Sequence, residues 1–115
     1  MNLEIVLSIM RKFVPITEIT LIGGGAKGRL WRQMLADIYG IPVRVPSLLE
    51  EATSMGAAVI GGVGAGAFEG FSAVSRFLAI ADTVGPRADI AGLYNARKPV
   101  FDECYQRLEP VFGKL

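Results

Sequence analysis

Hydrophobic residues recur every three or four positions at the start of the chain, and this spacing predicts a helix. The positions that follow the period are Leu3, Val6, Met10 and Phe13. Pro15 ends the pattern, because proline cannot continue a helix. Residues 18–22 are rich in β-branched side chains and begin with alternating polarity, which predicts a strand.

A second helical period runs from residue 29 to residue 39, and Gly40 follows at a position that favours glycine after a helix. Its apolar positions are Leu30, Met34, Leu35 and Ile38. Residues 43–45 predict another short strand. The order strand, glycine turn, helix and strand is long enough for a parallel crossover. Parallel strands need cover on both faces, so the predicted fold class is α/β.

The second half of the chain gives weaker patterns. Residues 55–68 predict a buried, glycine-bearing helix that is capped by Thr53 or Ser54 and either continues or stops near Gly61. Residues 71–81 predict a short helix, and residues 82–89 predict a loop. From Tyr94 onward the pattern is helical again, with a kink or restart expected at Pro110. The apolar stripe of this last helix is Phe101, Tyr105, Leu108 and Phe112.

Composition narrows the function classes. The 115 residues suit one domain, and 51% hydrophobic against 20% charged residues indicates a folded core. A net charge of +1, without long charge runs, argues against nucleic acid and against an anionic membrane surface. The longest weakly polar run is too short to span a bilayer. The chain has no histidine and a single cysteine, Cys104, so we expect a reducing cytoplasm, no zinc site and a buried, inert thiol.

The segment "LIGGGAKG", residues 21–28, places glycines between a predicted strand and a predicted helix. Gly23, Gly25 and Gly28 match the weak dinucleotide pattern G-x-G-x-x-G, and Glu50 or Glu51 stands where its acidic residue is expected. Glycines let a ligand approach the main chain, and a helix N-terminus attracts anions. A plain tight turn explains the same residues, so the pattern alone leaves both interpretations open.

The longer stretch "ITLIGGGAKGRLWRQMLADIYGIPVRVP" closely resembles the C-terminal domain of the FGGY carbohydrate kinases, and within them the xylulokinase group. The matching positions are residues 23–27, residues 31–37, Gly40, Pro42 and Val43. "EEATSMGAAVIGGVGAGAF" resembles the next block of that family. The end of the chain is similar to the family's last helix, through Tyr94, Pro99, Tyr105 and Leu108.

The resemblance implies an actin-like, ribonuclease-H-like ATPase fold, in which residues 1–115 are a C-terminal nucleotide-binding domain. It implies main-chain contacts to ATP or ADP from Gly24, Gly25 and Ala26, with Lys27 and Arg29 near the adenine edge. The complete predicted set of nucleotide-binding residues is Gly23, Gly24, Gly25, Ala26, Lys27 and Arg29. The family's usual serine is replaced by Gly28, which removes a hydroxyl near the nucleotide but still permits a helix N-cap.

Family members are several times longer than this chain, so the resemblance implies a C-terminal fragment without the sugar-binding domain. The catalytic aspartate lies in that absent part, and Mg²⁺ is expected to be held mainly there. Four aspartates match no catalytic position and are expected to be solvated or capping: Asp37, Asp82, Asp89 and Asp102. The expected reaction of the full enzyme is phosphoryl transfer from ATP to D-xylulose, and the fragment alone is expected to be inactive.

Several alternatives stay open. One is that the substrate is another sugar, such as gluconate or glycerol, and another is that the chain is a non-catalytic assembly or regulatory module on the same fold. Trp31 either stacks on adenine or is core or domain-contact surface. Arg97 and Lys98, expected at a helix start before Pro99, are either solvated or touch the missing domain. Apolar surface left without that domain makes a homodimer possible.

Overall fold

The computed structural model describes residues 2–114, so Met1 and Leu115, the ends of the predicted domain, lie outside the described residues. The helices are α1 (Asn2–Met10), α2 (Arg29–Tyr39), α3 (Ala52–Gly64) and α4 (Ala88–Phe112). The strands are β1 (Ile19–Thr20), β2 (Val43–Pro46) and β3 (Ile80–Val84). Two 3₁₀ turns, Gly24–Ala26 and Phe71–Arg76, precede α2 and β3 respectively.

The strands described in residues 2–114 form a sheet in the order β1-β2-β3. Strands β1 and β2 are parallel, with Ile19 opposite Val43, which confirms the predicted crossover through α2. Strand β1 is shorter than the predicted residues 18–22. Strand β3 runs antiparallel to β2 and places Val84 opposite Val43. The α/β class is therefore confirmed, with a small mixed sheet.

The core lies between α2, β2 and the start of the chain. Its buried members are Leu7, Leu35, Ala36, Tyr39 and Val43. Leu35 is the one predicted apolar position of the two helices within this cluster. The predicted positions of the first helix are exposed by 50–85%, and Leu7 is buried instead. The first two helices were therefore predicted at the right places in the chain, but most of their buried residues were not. Helix α2 has the predicted bounds and ends at Gly40, whose φ of 65° is left-handed and suits glycine.

The prediction for residues 71–89 was right only in part. The predicted helix is the 3₁₀ turn Phe71–Arg76, and the predicted loop is confined to residues 85–87, because the strand β3 occupies residues 80–84. Asp82 and Thr83 interrupt the apolar pattern of this strand, so local sequence gives little strand signal. Pairing with β2 and contact of Val84 with the core stabilise the strand nonetheless. Tertiary contacts therefore overrode the local pattern.

The bounds of the last two helices also differ from the prediction. Helix α3 begins at Ala52, with Glu51 at the N-cap, so Thr53 and Ser54 are inside the helix and are not its caps. It passes Gly61 and continues to Gly64. Helix α4 begins at Ala88, six residues before the predicted Tyr94, and it continues through Pro99 and Pro110. Consequently Arg97 and Lys98 lie within the helix, not at its start, and Lys98 pairs with the buried Glu4 of α1.

Residues 55–68 are far more exposed than predicted. Val59 is buried at 4% exposure, but its neighbour Ile60 is 64% exposed. Cys104 is exposed too, so the expectation of a buried thiol was wrong. None of the helices described between residues 2 and 114 is long and apolar enough to cross a membrane.

Candidate functional site

The glycine turn, residues 23–28, connects β1 to α2. Gly23 has φ 75° and ψ −165°, a backbone conformation that is accessible essentially to glycine alone. This bend allows the N–H of Ala26 to donate to the carbonyl of Gly23 at 3.0 Å, and the N–H of Lys27 to donate to Gly24 at 3.2 Å. Ala26 is completely buried beneath the turn. Gly23 is therefore required by the shape of the main chain.

The next two glycines differ from Gly23 and from each other. A Cβ atom on Gly25 would lie 3.1 Å from the indole Nε1 of Trp31, so the close approach of that side chain favours glycine. A Cβ atom on Gly24 would meet no heavy atom of residues 2–114 within 4 Å, apart from the neighbours of Gly24 in the chain. Neither backbone shape nor packing among the described residues accounts for glycine at position 24. The main chain there is open to a ligand.

Helix α2 begins immediately after the turn. Gly28 is its N-cap, with extended backbone angles, and accepts a hydrogen bond from the N–H of Arg32 at 3.0 Å. The replacement of serine by Gly28 has thus left the helix intact, as expected. The first N–H groups of a helix have no partner within it, and the helix dipole makes that end attractive to anions. The open backbone of Gly24 is five residues before Arg29, the first residue of α2.

Lys27 lies in the turn, where its ammonium group pairs with the carboxylate of Glu50. The hydrogen bond from Lys27 and its charge lower the pKa of Glu50, and Glu50 raises the pKa of Lys27 in the same way. Both side chains are more than half exposed, so this pair is screened and stabilises the fold little. The lysine charge beside the turn is therefore already shared with a carboxylate.

Arg29, the first residue of α2, lines an open cavity of about 650 Å³ between α2 and β3. The other lining residues are Leu30, Gln33, Asp82, Thr83, Val84 and Gly85. The structure therefore places Arg29 at a mixed polar and apolar cavity, whereas Lys27 is bonded to Glu50.

Two ion pairs join α2 to the C-terminal part of the chain. In the first, Arg32 donates from Nη1 to Asp82 of β3 at 2.8 Å and from Nη2 to the carbonyl of Lys27 at 3.4 Å. Arg32 therefore connects the end of the glycine turn to β3. Its buried Nε has no hydrogen-bond partner among the described residues.

Asp37 forms the second pair and is 1% exposed. Its carboxylate accepts hydrogen bonds from the backbone N–H of Arg87 at 2.8 Å, from Nη2 of Arg87 at 2.6 Å and from Gln33 at 3.0 Å. Burial raises the pKa of Asp37, but the bonds and charge of Arg87 outweigh it, so the pKa lies below its ordinary value. The sequence predicted that Asp37 is either solvated or a capping residue. Asp37 is buried, so it is not solvated, and its bond to the backbone N–H of Arg87, the N-cap residue of α4, fixes the start of α4 on α2.

Sequence reasoning missed this Asp37 cluster. Gln33 and Asp37 are four residues apart on α2, a spacing that offers a local signal. Arg87 is 50 residues away from Asp37, and nothing local indicates that pairing. Asp82 is held by Arg32, and Asp89 lies in the first turn of α4, where a negative charge is favourable.

The acidic residues do not assemble a metal centre. Among residues 2–114, no three His, Cys, Asp or Glu side chains are grouped closely enough to hold a metal ion. Asp37 and Asp82 are each paired with an arginine. The part of the chain that the structure describes therefore has no metal site built from protein side chains alone.

Comparisons with known proteins bear on what the glycine turn does. Residues 1–65 match the C-terminal domain of the FGGY family of carbohydrate kinases. The autoinducer-2 kinase of Yersinia enterocolitica is 40% identical over 93 residues, which are 80% of this chain and 17% of that protein. The autoinducer-2 kinase of Yersinia pseudotuberculosis is 38% identical over the same length.

Solved structures give the same picture at the level of the fold. The xylulose kinase of Rhodospirillum rubrum matches with a TM-score of 0.77 and 20% identity, over 97% of this chain and 23% of that one. The gluconate kinase of Lactobacillus acidophilus matches with a TM-score of 0.74 and 22% identity, over 85% of this chain and 20% of that one. These neighbours have the actin-like ATPase fold that the resemblance implied. The chain spans less than a quarter of each relative and belongs to the FGGY family of carbohydrate kinases.

Proposed function

We propose that this chain supplies the nucleotide-binding part of an ATP-dependent sugar kinase. The observation that carries the proposal is the open main chain at Gly24, in the turn that leads into α2. Family membership and the names of the relatives, all sugar or autoinducer kinases, support it. The nucleotide-binding residues would be those of the glycine turn and its exit: Gly23, Gly24, Gly25, Ala26, Lys27 and Arg29.

Each part of the turn has a distinct task in this proposal. Gly23 sets the bend, and Gly24 lets the nucleotide lie against the main chain without a side chain in between. The N–H groups at the start of α2 donate to phosphate oxygens. Lys27 stays protonated beside Glu50 and can turn its ammonium group towards a phosphate. Bound ATP supplies the phosphoryl group that the kinase transfers to a hydroxyl of its substrate.

The remaining chemistry is proposed to lie in another part of the kinase. Asp37 is buried and bonded to Arg87, and Asp82 is bonded to Arg32, so neither is free to accept a proton from a substrate hydroxyl. Mg²⁺ would likewise be held mainly outside this chain. We therefore expect the purified 115-residue chain to show no phosphoryl transfer. Turnover by the purified chain would contradict this division of labour. Separately, we propose that the kinase is a cytoplasmic enzyme.

The substrate proposal is a sugar or sugar-like hydroxyl compound. D-xylulose follows from the sequence resemblance, and the fold is shared with xylulose and gluconate kinases at 20% and 22% identity. The chain is 40% identical to an autoinducer-2 kinase, so autoinducer-2 is a candidate substrate of the same rank as D-xylulose. A full-length protein carrying this chain should be assayed against D-xylulose, autoinducer-2, gluconate and glycerol. The proposal predicts ATP-dependent phosphorylation of one of them, and failure with every one would contradict it.

The nucleotide site is tested directly with the chain itself. Titration with ADP should shift the amide resonances of residues 24–27, with weak affinity because the rest of the cleft is absent. Gly24→Ala should weaken ADP binding at least about tenfold, since the added methyl group occupies the space that the nucleotide needs. Gly56→Ala is the matched control, because its Cβ is equally free of neighbours and lies in α3. Unchanged resonances in the wild-type chain, or equal affinity in the Gly24 variant, would refute the site.

A further inference from the structure

Trp31 is the single tryptophan of the chain and stands in the first turn of α2. The edge of its indole ring lies against the glycine turn: Nε1 and Cδ1 are 3.1 and 3.2 Å from the Cβ position of Gly25. The residue is nevertheless 51% exposed. The turn therefore holds one edge of the indole while much of the ring remains uncovered.

Core packing does not explain this placement. The buried apolar residues of α2 are Leu35, Ala36 and Tyr39, and Trp31 does not belong to their cluster. An aromatic ring of this size gains most when its faces are covered, and it prefers another planar group.

We infer that the exposed face of Trp31 stacks on the purine base of the bound nucleotide. This inference rests on the proposed function and adds the contact that recognises the base. Glycine at position 25 and tryptophan at position 31 then act together, because a Cβ atom on residue 25 would lie 3.1 Å from the indole Nε1 and would push the ring away from the turn.

The cavity lined by Arg29 is a poorer place for the base. Its walls include Gln33 and Asp82, which are already bonded to Asp37 and Arg32. A purine there would have to compete with those bonds, whereas stacking on Trp31 disturbs none of them. Stacking of a base on an aromatic side chain contributes about 1–3 kcal/mol by alanine substitution.

The test compares three ligands that share only parts of the nucleotide: ADP, adenosine and inorganic tripolyphosphate. With the wild-type chain, ADP and adenosine should quench the fluorescence of Trp31, and tripolyphosphate should not. This measurement needs no variant and so does not depend on the folding of a mutant. Quenching by tripolyphosphate alone would overturn the stacking contact.

Variants separate stacking from a merely structural role. Trp31→Ala should weaken ADP binding about 5- to 150-fold, the range that corresponds to base stacking, and change tripolyphosphate binding less than about twofold. Trp31→Phe should retain most of the affinity. Leu30→Ala is the control, because Leu30 is an exposed apolar neighbour at 73% exposure, and it should bind ADP normally. Equal losses for ADP and tripolyphosphate would mean that Trp31 only supports the turn, which would overturn the inference.

The two proposals fail in different ways. If ADP shifts the amides of residues 24–27 but Trp31→Ala binds it normally, stacking is refuted and the nucleotide site stands. If ADP leaves both those amides and the tryptophan emission unchanged, both proposals are refuted.

Discussion

Two glycine-rich segments of this chain look alike in composition but use glycine for different reasons. In the glycine turn, Gly23 adopts a left-handed φ, Gly25 admits the ring of Trp31, and Gly24 leaves the main chain open. In α3, Gly62 faces the ring of Phe68, and a Cβ atom there would lie 2.4 Å from Cδ2 of that ring. The first segment therefore has glycine for main-chain shape at Gly23 and for a side-chain contact at Gly25, whereas α3 has it for a side-chain contact at Gly62 alone among its described positions.

The remaining glycines of α3 show the cost of this arrangement. Gly56 and Gly61 have φ angles in the helical range and open space at their Cβ positions among the described residues. Each weakens the helix by about 1 kcal/mol relative to alanine. A count of glycines therefore does not reveal which of them the structure requires.

The segments also differ in how they are anchored. The helix that follows the glycine turn is joined to β3 and α4 by the Arg32–Asp82 and Asp37–Arg87 pairs. Helix α3 instead borders an apolar cavity of about 280 Å³ with Phe68 and Phe77, and Val59 is its buried residue. We therefore expect the turn and α2 to resist local opening better than α3 does.

The largest expected effect comes from removing the anchor of α2. Asp37→Asn keeps the size of the side chain but loses the charge that binds Arg87, so it should destabilise the protein by about 2–3 kcal/mol at pH 7. Urea unfolding measures the change. Asp102→Asn, on the exposed side of α4, is the control and should stay within about 0.5 kcal/mol of wild type.

The same variant has a pH signature. The folded-state pKa of Asp37 lies below its ordinary value of 3.8, so its charged form stabilises the fold above that pH. That contribution is lost as the pH falls below about 4 and through the folded-state pKa. The stability difference between wild type and Asp37→Asn should therefore shrink in acid. A difference that is constant from pH 7 to pH 3 would show that the charge of Asp37 is not responsible.

An intermediate effect is expected for Gly23→Ala. Alanine at φ 75° and ψ −165° is strained, and we expect a loss of about 2 kcal/mol. Hydrogen exchange should locate the damage at the amides of Ala26 and Lys27, whose bonds depend on the bend. Faster exchange in α3 with an unchanged turn would contradict the assignment of strain to Gly23.

The smallest effects should have opposite signs within one helix. Gly62→Ala gains helix propensity but collides with Phe68, and we expect a net loss of about 1 kcal/mol. Gly61→Ala, one residue earlier, meets no described neighbour and should gain about 1 kcal/mol. Thermal unfolding with hydrogen exchange of the α3 amides distinguishes them. If both alanines stabilise α3, the contact between Gly62 and Phe68 is not what maintains glycine there.

The sequence predicted the first half of the fold well because its signals are local. The period of α2, the left-handed Gly40 and the β-branched strands each depend on neighbours within a few residues, and the structure confirms them. The position of the glycine turn was predicted for the same reason. Its use by a nucleotide stays a prediction, since it rests on the resemblance and on the open space at Gly24.

The second half was predicted less well because distant contacts decide it. Strand β3 pairs with β2 from about 40 residues away, and α4 begins where Arg87 meets Asp37. Neither contact can be recognised from the periodicity of hydrophobic residues in the neighbouring sequence. The same is true of the bond between Lys27 and Glu50 beside the turn.

By itself, the sequence determined the α/β class, the strand–turn–helix–strand unit and the family, because periodicity, glycine placement and a long motif are properties of neighbouring residues. Only the tertiary structure decided the third strand, the start of the last helix, the burial of Asp37 and the separate reason for each glycine. These features depend on tertiary contacts, most of them between residues that are distant in the sequence, and such contacts are not encoded in the local pattern.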